Sequence, residues 1–223
     1  MVIKKIFKIH YIIFFFFLFL SKAIAEPTLA RSKAVENVTG DYLTMALTFN
    51  NDGTKMYTSS MRAGATGDRL YEYELTTAYN ISTATLRTSI NVGTYSGSST
   101  NIHGAMQVVF NNDGTKMFIA DHHKTIIEWT LTTPYDIDTA STTFNAGQGF
   151  DTGANQKRPT SVAFNNDGTK MFVTGNHKAE NPQSIHEYTL DTPFVITSGV
   201  THVQEVQPDD LQSDYVDGIV FNY

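Results

Sequence analysis

The chain has 223 residues, which is enough for one large domain or two small ones. Aromatic residues make up 12% of it and charged residues only 17%, a composition that favours strands and turns over charge-rich helices. The formal net charge of −6 disfavours nucleic acid as a partner, and the absence of cysteine excludes disulfides, Cys-ligated zinc and thiol nucleophiles.

The first 25 residues differ from the rest of the chain. Lys4, Lys5 and Lys8 precede the apolar run YIIFFFFLFL, and a small-residue end follows at Ala23–Ala25. These are the three parts of a secretory signal peptide, and the apolar run is shorter than the roughly 20 residues of a spanning helix. We therefore predict a signal peptide over residues 1–25 and an exported, periplasmic, secreted or surface protein. The alternative is an uncleaved membrane anchor.

Cleavage after residue 25 would leave residues 26–223 as the mature domain. That part has 12 basic and 22 acidic residues, a formal net charge of −10. So acidic a surface repels phosphate backbones and anionic lipids. We predict no nucleic-acid partner and, after cleavage, no membrane contact.

The heptapeptide FNNDGTK occurs three times, at Phe49–Lys55, Phe110–Lys116 and Phe164–Lys170. A fourth unit begins at Phe221, and the four Phe residues are 61, 54 and 57 residues apart. Self-similarity at a nearly fixed period is typical of repeat architectures.

Each unit contains four short segments with strand character. In the second unit these are MQVVFN, KMFIAD, IIEWTL and TTFNAG, with NNDGTK between the first two and TTPYDIDT between the last two. Asp-Gly between apolar runs predicts a hairpin, in which Gly takes a positive φ. We expect the flanking Phe and Met to face the core, the Lys and Thr to face water, and the third strand to alternate apolar and polar residues.

This pattern resembles β-propeller repeats with an F-N-x-D-G-T-K hairpin, of the YVTN and WD40-like kind found in exported bacterial proteins. VVFNNDGTKMFIA and IIEWTLTTPYDIDTAS carry the resemblance, which covers about residues 33–223. It implies an all-β fold: a β-propeller-like array of four-stranded antiparallel blades. The third unit departs from the pattern at Val195–Thr197, so its fourth strand is expected to enter differently.

Three full repeats and the start of a fourth are fewer than the roughly four to eight blades of a closed ring. We therefore expect an incomplete ring and a fragment of a longer protein. The alternative is that several chains assemble into a ring through unpaired blade edges.

The recurring polar residues are interpreted mainly as scaffold. The Asp-Gly turns offer one carboxylate each and lack the distal Glu of a calcium loop. Glu72, Glu128 and Glu187 recur at one position, where a Glu is more often solvated or paired with a neighbouring strand than part of a site. His122 and His123 lack a recurring third ligand; His123 aligns with His177 but also with Arg62. We predict no metal, no cofactor and no catalytic constellation.

The positions just before each first strand vary most between units. They are the predicted ligand-binding residues: Tyr42, His103, Lys157, Asp214 and Asp217. Strands that recur unchanged, preceded by residues that vary, indicate a binding module for an extracellular or envelope protein or a glycan. Neutral variation in loops explains the pattern equally well. The alternative function is a propeller-type hydrolase of the lactonase kind, or a quinoprotein, with a metal or cofactor in the central channel and His103, Asp214 and Asp217 as its candidates.

Overall fold

The computed structural model describes residues 43–61, 68–92, 104–122, 125–140, 149–153, 155, 158–175, 184–207 and 218–219. The chain divides into Met1–Ala30 and Arg31–Tyr223, and every described residue belongs to the second unit. The predicted signal peptide therefore lies outside the described residues. Within those residues no helix is both long and apolar enough to cross a membrane.

The described residues form twelve strands. They are β1 (Leu43–Phe49), β2 (Lys55–Met61), β3 (Arg69–Leu75), β4 (Ala84–Asn91), β5 (Ala105–Phe110), β6 (Lys116–Asp121), β7 (Thr125–Thr130), β8 (Gly149–Asp151), β9 (Pro159–Phe164), β10 (Lys170–Gly175), β11 (Ile185–Leu190) and β12 (Val200–Val206). Two short 3₁₀ turns, Ile81–Thr83 and Ile137–Thr139, precede β4 and β8.

The strands form three antiparallel four-stranded sheets, one for each repeat, in the orders β1-β2-β3-β4, β5-β6-β7-β8 and β9-β10-β11-β12. We call them the first, second and third sheets. This confirms the all-β class and the array of four-stranded blades predicted from the repeats. Every pair of neighbouring strands within a sheet is consecutive in the chain, so each sheet is an antiparallel meander.

The apolar core lies between successive sheets. One buried cluster joins the first sheet to the second, and another joins the second sheet to the third. Val108 and Val162, equivalent residues of β5 and β9, are 1% and 0% exposed because each packs on the preceding sheet. Their counterpart in β1, Leu47, is 61% exposed. The sheets thus stack in sequence order, and the first sheet presents one bare apolar position.

Two expectations about local structure need correction. In the first two units the third strand does not alternate: Leu70 to Tyr73 of β3 and Ile126 to Trp129 of β7 are all buried, since a sheet covered on both faces buries both sides of its middle strands. The described fourth strand of the second unit lies at Gly149–Asp151, and the predicted TTFNAG segment lies outside the described residues, so that part stays a prediction. The Lys of the hairpin does not simply face water, because Lys55 is ion-paired with Glu72.

The third unit departs from the others where the sequence predicted. Asn80 and Asp136 cap the two 3₁₀ turns by accepting a backbone hydrogen bond two residues ahead, from Ser82 and Asp138. Val195 replaces them in the third unit and has no side-chain acceptor, so no 3₁₀ turn forms there in the part of the chain that the structure describes. β12 instead starts directly after Gly199, whose φ is +67°.

Candidate functional site

The FNNDGTK hairpin is held by its own polar side chains. In the first copy, Asn50 Oδ1 accepts from the Lys55 backbone N–H at 2.9 Å, closing the turn. Asp52 Oδ1 accepts from the N–H of Thr54 at 2.9 Å and from its hydroxyl at 2.6 Å. These bonds recur in the other two copies. The carboxylate is therefore used by the turn itself, which explains its repetition without a ligand.

An aromatic ring covers the glycine of each hairpin. The glycines have φ near +70°, and a Cβ built on Gly53 would come within 2.4 Å of the Tyr79 ring. Tyr135 and Phe194 cover Gly114 and Gly168 in the same way. These three aromatic residues themselves have positive φ values of 54° to 57°, rare for residues with a side chain. The hairpin and the later turn thus form one interlocked unit in every sheet.

The first seam, between the first and second sheets, is organised by an ion pair. Lys55 Nζ lies 2.7 Å from Glu72 Oε1, and Glu72 is fully buried. Lys55 also donates to the backbone carbonyl of Tyr135 at 3.0 Å, and Glu72 Oε2 accepts from the backbone N–H of Ile137 at 3.0 Å. Burying a carboxylate requires such a full set of partners. One pair in the first sheet therefore binds both a donor and an acceptor of the next sheet's turn.

Arg87 of β4 adds a further charge to this seam. Its guanidinium contacts Glu72 at 3.0 Å and reaches Asp136 and Asp138 in the turn of the second sheet. The hydrogen bond to Asp136 raises the pKa of Arg87, and the same bond lowers the pKa of Asp136. Both shifts favour the charged forms that hold the two sheets together.

The second seam, between the second and third sheets, repeats the same contacts. Lys116 Nζ lies 2.6 Å from Glu128 Oε1 and donates to the Phe194 carbonyl at 2.7 Å. Glu128 Oε2 accepts from the backbone N–H of Ile196 at 3.0 Å. The recurring Glu is thus structural and paired with a neighbouring strand, in agreement with one of the two predicted roles.

The second Asn of the heptapeptide also connects successive sheets. Asn51 Nδ2 donates to the Asn112 carbonyl at 2.7 Å, and Asn112 Nδ2 donates to the Asn166 carbonyl at 2.6 Å. The hairpins are therefore joined at the surface as well as in the core.

The third sheet carries the same pair without a following turn among the described residues. Lys170 Nζ lies 2.6 Å from Glu187 Oε1, but Lys170 is 46% exposed, against 22% for each of its two counterparts. Glu187 Oε2 accepts from Gln204 Nε2 of β12 at 2.7 Å in place of a backbone N–H. The bonds from Lys170 and Gln204 lower the pKa of Glu187. We call Lys170, Glu187 and Gln204 the trailing face.

The first sheet exposes two residues whose counterparts lie in the seams, although Met56, Tyr71 and Tyr73 of the same face are only 0–3% exposed. Leu47 and Tyr79 are 61% and 58% exposed, whereas the equivalents of Leu47 are buried. No described residue donates to the Tyr79 carbonyl or accepts from the Ile81 N–H, the groups that correspond to those used by the turns of the second and third sheets. We call Leu47, Tyr79 and Ile81 the leading face.

A polar cluster lies on the outer strands of the third sheet. Ser184 Oγ lies 2.7 Å from His186 Nε2, and His186 Nδ1 lies 3.2 Å from His202 Nε2 and 3.8 Å from Glu205 Oε2. Burial lowers the pKa of His186. The order hydroxyl, imidazole, carboxylate is that of a hydrolase, but Ser184 is buried and its hydroxyl offers a substrate no access. In the described residues no group of three or more His, Asp or Glu is arranged to hold a metal ion.

The predicted ligand-binding residues Tyr42, His103, Lys157, Asp214 and Asp217 all lie outside the described residues, so their arrangement stays a prediction. His123, His177 and Arg62 lie outside as well, whereas His122 follows β6 and its N–H donates to the Gly104 carbonyl at 3.1 Å.

Side chains also connect the first strands of successive units, β5 and β9. Gln107 Oε1 accepts from the Ser161 hydroxyl and from the Val162 N–H, both at 2.6 Å. In the same way, Ser161 Oγ accepts from the Ile219 N–H at 3.0 Å. Residues 218–219 therefore lie in the position that the first strand of a following unit would occupy.

Several residues of the seams were not singled out from the sequence. The aromatic residues at positive φ, and the Ile whose N–H donates across the seam, were visible in the sequence only as parts of a turn pattern that recurs in each unit. The available signal was the recurrence of Thr-(Ala/Pro)-aromatic-(Asn/Asp/Val)-Ile after each Glu.

No family model matches the sequence, and no curated protein matches it. Solved structures do. The β-propeller domain of Cps50 (Swd1) from Myceliophteria thermophila aligns at 14% identity over 74% of this chain and 43% of its own, with a TM-score of 0.43. The WD40 repeats of RRP9 align at 10% identity over 78% and 41%, with a TM-score of 0.45. U3-55K aligns at 11% identity over 78% and 42%, with a TM-score of 0.44. The chain spans less than half the length of each of these structures.

Proposed function

We propose that the chain is an exported polypeptide-interaction module built from propeller-type blades, without catalytic activity. The observation that carries this proposal is the Lys170–Glu187 pair. Its two counterparts each bind the backbone of a turn, through a Lys that donates to a carbonyl and a Glu that accepts an N–H. In the third pair the Lys170 side chain is 46% exposed, and the second oxygen of Glu187 accepts from Gln204 of its own sheet where the other two accept a backbone N–H.

The strand beside this pair favours a polypeptide ligand over a glycan. β12 is an edge strand of seven residues, six of them exposed, and Val203 and Val206 are 50% and 54% exposed. Exposed edge strands pair with other polypeptide segments through their free backbone groups. The cation of Lys170, the carboxylate of Glu187 and the apolar edge strand β12 could together bind a peptide in an extended or β-turn conformation.

Export rests on the basic, apolar and small-residue segments within residues 1–25. The loops before each first strand, with Tyr42, His103, Lys157, Asp214 and Asp217, form a second proposed ligand surface. A hydrolase or quinoprotein remains the alternative function, carried by His103, Asp214 and Asp217. The buried Ser184 gives it no support.

The test uses immobilised residues 26–223, probed with a displayed random-peptide library and with a glycan array. We expect peptides to be captured, and Glu187→Ala to weaken their binding about tenfold, which corresponds to about 1.4 kcal/mol. Glu74→Ala is the matched control. Glu74 lies on β3 of the first sheet, and its side chain is 61% exposed.

Three results would contradict the proposal. They are glycan binding without peptide binding, peptide binding that Glu187→Ala leaves unchanged, and a robust hydrolase activity. Metal analysis and an absorbance spectrum of the purified protein distinguish the binding module from the alternative enzyme. A tightly held calcium ion or a quinone chromophore would favour the enzyme.

A further inference from the structure

Two histidines of the third sheet are in contact across its outer pair of strands. His186 of β11 is 1% exposed, and its Nδ1 lies 3.2 Å from Nε2 of His202 on the edge strand β12. We propose that this pair, which we call the imidazole clasp, holds β12 against β11 at neutral pH and releases it in mild acid, together with the polypeptide bound there. The release of a polypeptide rests on the proposed function, in which β12 is part of the binding surface.

Side chains join β12 to β11 on both faces of the third sheet. Among the described residues β12 pairs with β11 alone, so its other edge is open. On one face Gln204 donates to Glu187 at 2.7 Å. On the other face His202 lies opposite Tyr188 and contacts His186. The register of the two strands shifts between Glu187 and Tyr188, and such a bulge interrupts the backbone ladder. The clasp therefore lies where the backbone pairing of β12 is weakest.

The clasp can take up one added proton but not two. When both imidazoles are neutral, a single N–H joins His186 Nδ1 to His202 Nε2, because one ring donates and the other accepts. A first added proton leaves this bond in place, since the charged ring donates to the neutral one. A second proton puts an N–H on both nitrogens, and two positive rings then face each other. The rings therefore titrate as a coupled pair whose second step breaks the contact.

Burial is the main influence on His186. It lowers the pKa of this imidazole, the charge of Glu205 opposes the shift, and His202 adds to it. Glu205 Oε2 lies 3.8 Å from His186 Nδ1. Below about pH 6.5 the clasp therefore binds fewer protons in the folded protein than the same histidines bind in the unfolded one. The stability that the clasp contributes is complete above this pH and is lost as the pH falls through the lowered pKa.

The other described neighbours of the clasp stay uncharged in mild acid. Ser184 Oγ lies 2.7 Å from Nε2 of His186, and a hydroxyl can donate or accept there. β10 places Val173 opposite His186, and β8 of the second sheet places Phe150 against the Tyr188 ring. Burial raises the pKa of Tyr188, so its hydroxyl keeps its proton. The acid response of this region therefore belongs to the two imidazoles and to Glu205.

The clasp is particular to the third unit. In the first sheet Tyr71 and Leu86 occupy the positions of His186 and His202, and in the second sheet Ile127 replaces His186. Three similar sheets form nonetheless, so the blade does not require imidazoles at these positions. β4, the corresponding edge strand of the first sheet, provides an internal control that lacks the clasp.

Hydrogen exchange of residues 26–223 at pH 7.5 and pH 5.5 is the direct test. One linked proton changes an opening equilibrium by at most about tenfold for each pH unit. Over these two units we expect the protection factors of the β12 amides to fall about tenfold, after correction for the intrinsic pH dependence of exchange. Those of β4 should stay constant. Protection of β12 that does not change, or that falls only as much as that of β4, would overturn the clasp.

Two variants assign the effect to the imidazoles. His202→Gln replaces an exposed ring by an amide that can donate or accept but cannot titrate, so β12 should keep its protection at pH 5.5. Glu205→Gln removes the charge that favours protonated His186, so it should increase the acid opening of β12. A smaller opening in Glu205→Gln would show that an ion pair, and not the contact of two imidazoles, causes the response. Circular dichroism and the unfolding midpoint at pH 7.5 check that both variants fold.

Peptides selected at pH 7.5 test the release. Bonds from Lys170 and Gln204 lower the pKa of Glu187, so this carboxylate stays charged at pH 5.5 and its titration cannot cause a loss of binding. We expect the wild type to bind the peptides about tenfold more weakly at pH 5.5, and His202→Gln to bind them equally at both values. Equal binding by the wild type while β12 opens would overturn the release. If no peptide binds at either pH, the proposed function and the release are wrong, whereas hydrogen exchange still decides the clasp.

Discussion

Glu128 accepts a hydrogen bond at 3.0 Å from the backbone N–H of Ile196, across the seam between the second and third sheets. Its other oxygen is ion-paired with Lys116 of its own sheet, and Lys116 in turn donates to the Phe194 carbonyl of the next sheet. A single carboxylate thus joins a strand pair within one sheet to the turn of the following sheet. The stability of each sheet is thereby coupled to the presence of the next.

Replacing the recurring Glu by Ala is expected to destabilise the protein according to the surroundings of each copy. Glu72→Ala and Glu128→Ala each leave a Lys without its counterion and a backbone N–H unpaired. We expect a loss of about 2–4 kcal/mol in the free energy of unfolding for either variant. Glu187→Ala lies at a more exposed pair and should cost at most about 1 kcal/mol. Urea denaturation of the three variants measures these losses in the free energy of unfolding and shows their order.

Glu74→Ala provides the control for this series, since its side chain is 61% exposed and its nearest cation, Arg87, is 3.7 Å away. We expect a change within about 0.5 kcal/mol. Equal losses at Glu72, Glu128 and Glu187 would show that the bonds across the seams contribute nothing beyond the ion pair within each sheet.

Gly114→Ala tests the contact between hairpin glycine and aromatic ring. Gly114 has a φ of +71°, and an added Cβ would come within 2.3 Å of the Tyr135 ring. The ring cannot move away freely because the Tyr135 N–H donates to the Gly114 carbonyl at 2.9 Å. We expect a loss of about 1–3 kcal/mol, measured as a shift of the urea midpoint.

Gly218→Ala is the matched control, because a Cβ there meets nothing within 4 Å and its φ is not in the left-handed region. It should leave the unfolding midpoint unchanged. Gly114→Val is expected to be at least as damaging as Gly114→Ala, since a branched side chain is rarer still at positive φ. A silent Gly114→Ala would show that the hairpin glycine is not selected for its conformation.

The sheets could be predicted from the sequence because their causes are local. Asp-Gly at the same place in three copies specifies a turn, and the strands on either side, with Phe49 opposite Met56 in the first copy, pair as the turn requires. The departure of the third unit was also predictable, because Val195 lacks the side-chain oxygen with which Asn80 and Asp136 cap their turns.

The roles of Glu72 and Lys55 could not be predicted in full, because they depend on groups about 65 to 80 residues away along the chain. Sequence patterns place a Glu on a strand, but they do not say that a backbone N–H of the next unit will meet it. The aromatic residues at positive φ were missed for a related reason: propensity argues against them, and only the tertiary contact with the hairpin glycine compensates. The predicted loop residues such as His103 lie outside the described residues, so their prediction is untested.

Asn112→Ala tests the surface connection between hairpins. Asn112 Nδ2 donates to the Asn166 carbonyl at 2.6 Å, and alanine removes this donor. We expect a loss of about 0.5–1.5 kcal/mol, the usual net value of one hydrogen bond. Asn166→Ala is the control, because the Asn166 side chain makes no bond across a seam within the described residues. Equal effects of the two substitutions would contradict a role for the amide between sheets.

Acid should weaken the hairpins through their carboxylates. Hydrogen bonds from Thr54, Thr115 and Thr169 lower the pKa of Asp52, Asp113 and Asp167 below its ordinary value in each copy. A carboxyl group with a lowered folded-state pKa binds fewer protons in the folded protein than in the unfolded one over the interval between the two values. Its contribution to stability is therefore complete above the unfolded pKa and is lost as the pH falls through the folded pKa.

Asp113→Asn separates this electrostatic contribution from the geometry of the turn. Asparagine keeps an Oδ1 acceptor for the N–H and hydroxyl of Thr115, and Asn supports the same turns, so the variant should be nearly as stable as wild type near neutral pH. It cannot titrate, so its stability should fall less steeply than that of wild type on acidification below about pH 4. Urea denaturation at neutral and acidic pH measures the difference. A variant that keeps the wild-type pH slope would show that Asp113 contributes nothing to acid sensitivity. A marked loss of ligand binding with an intact fold would show instead that the hairpin belongs to a binding site.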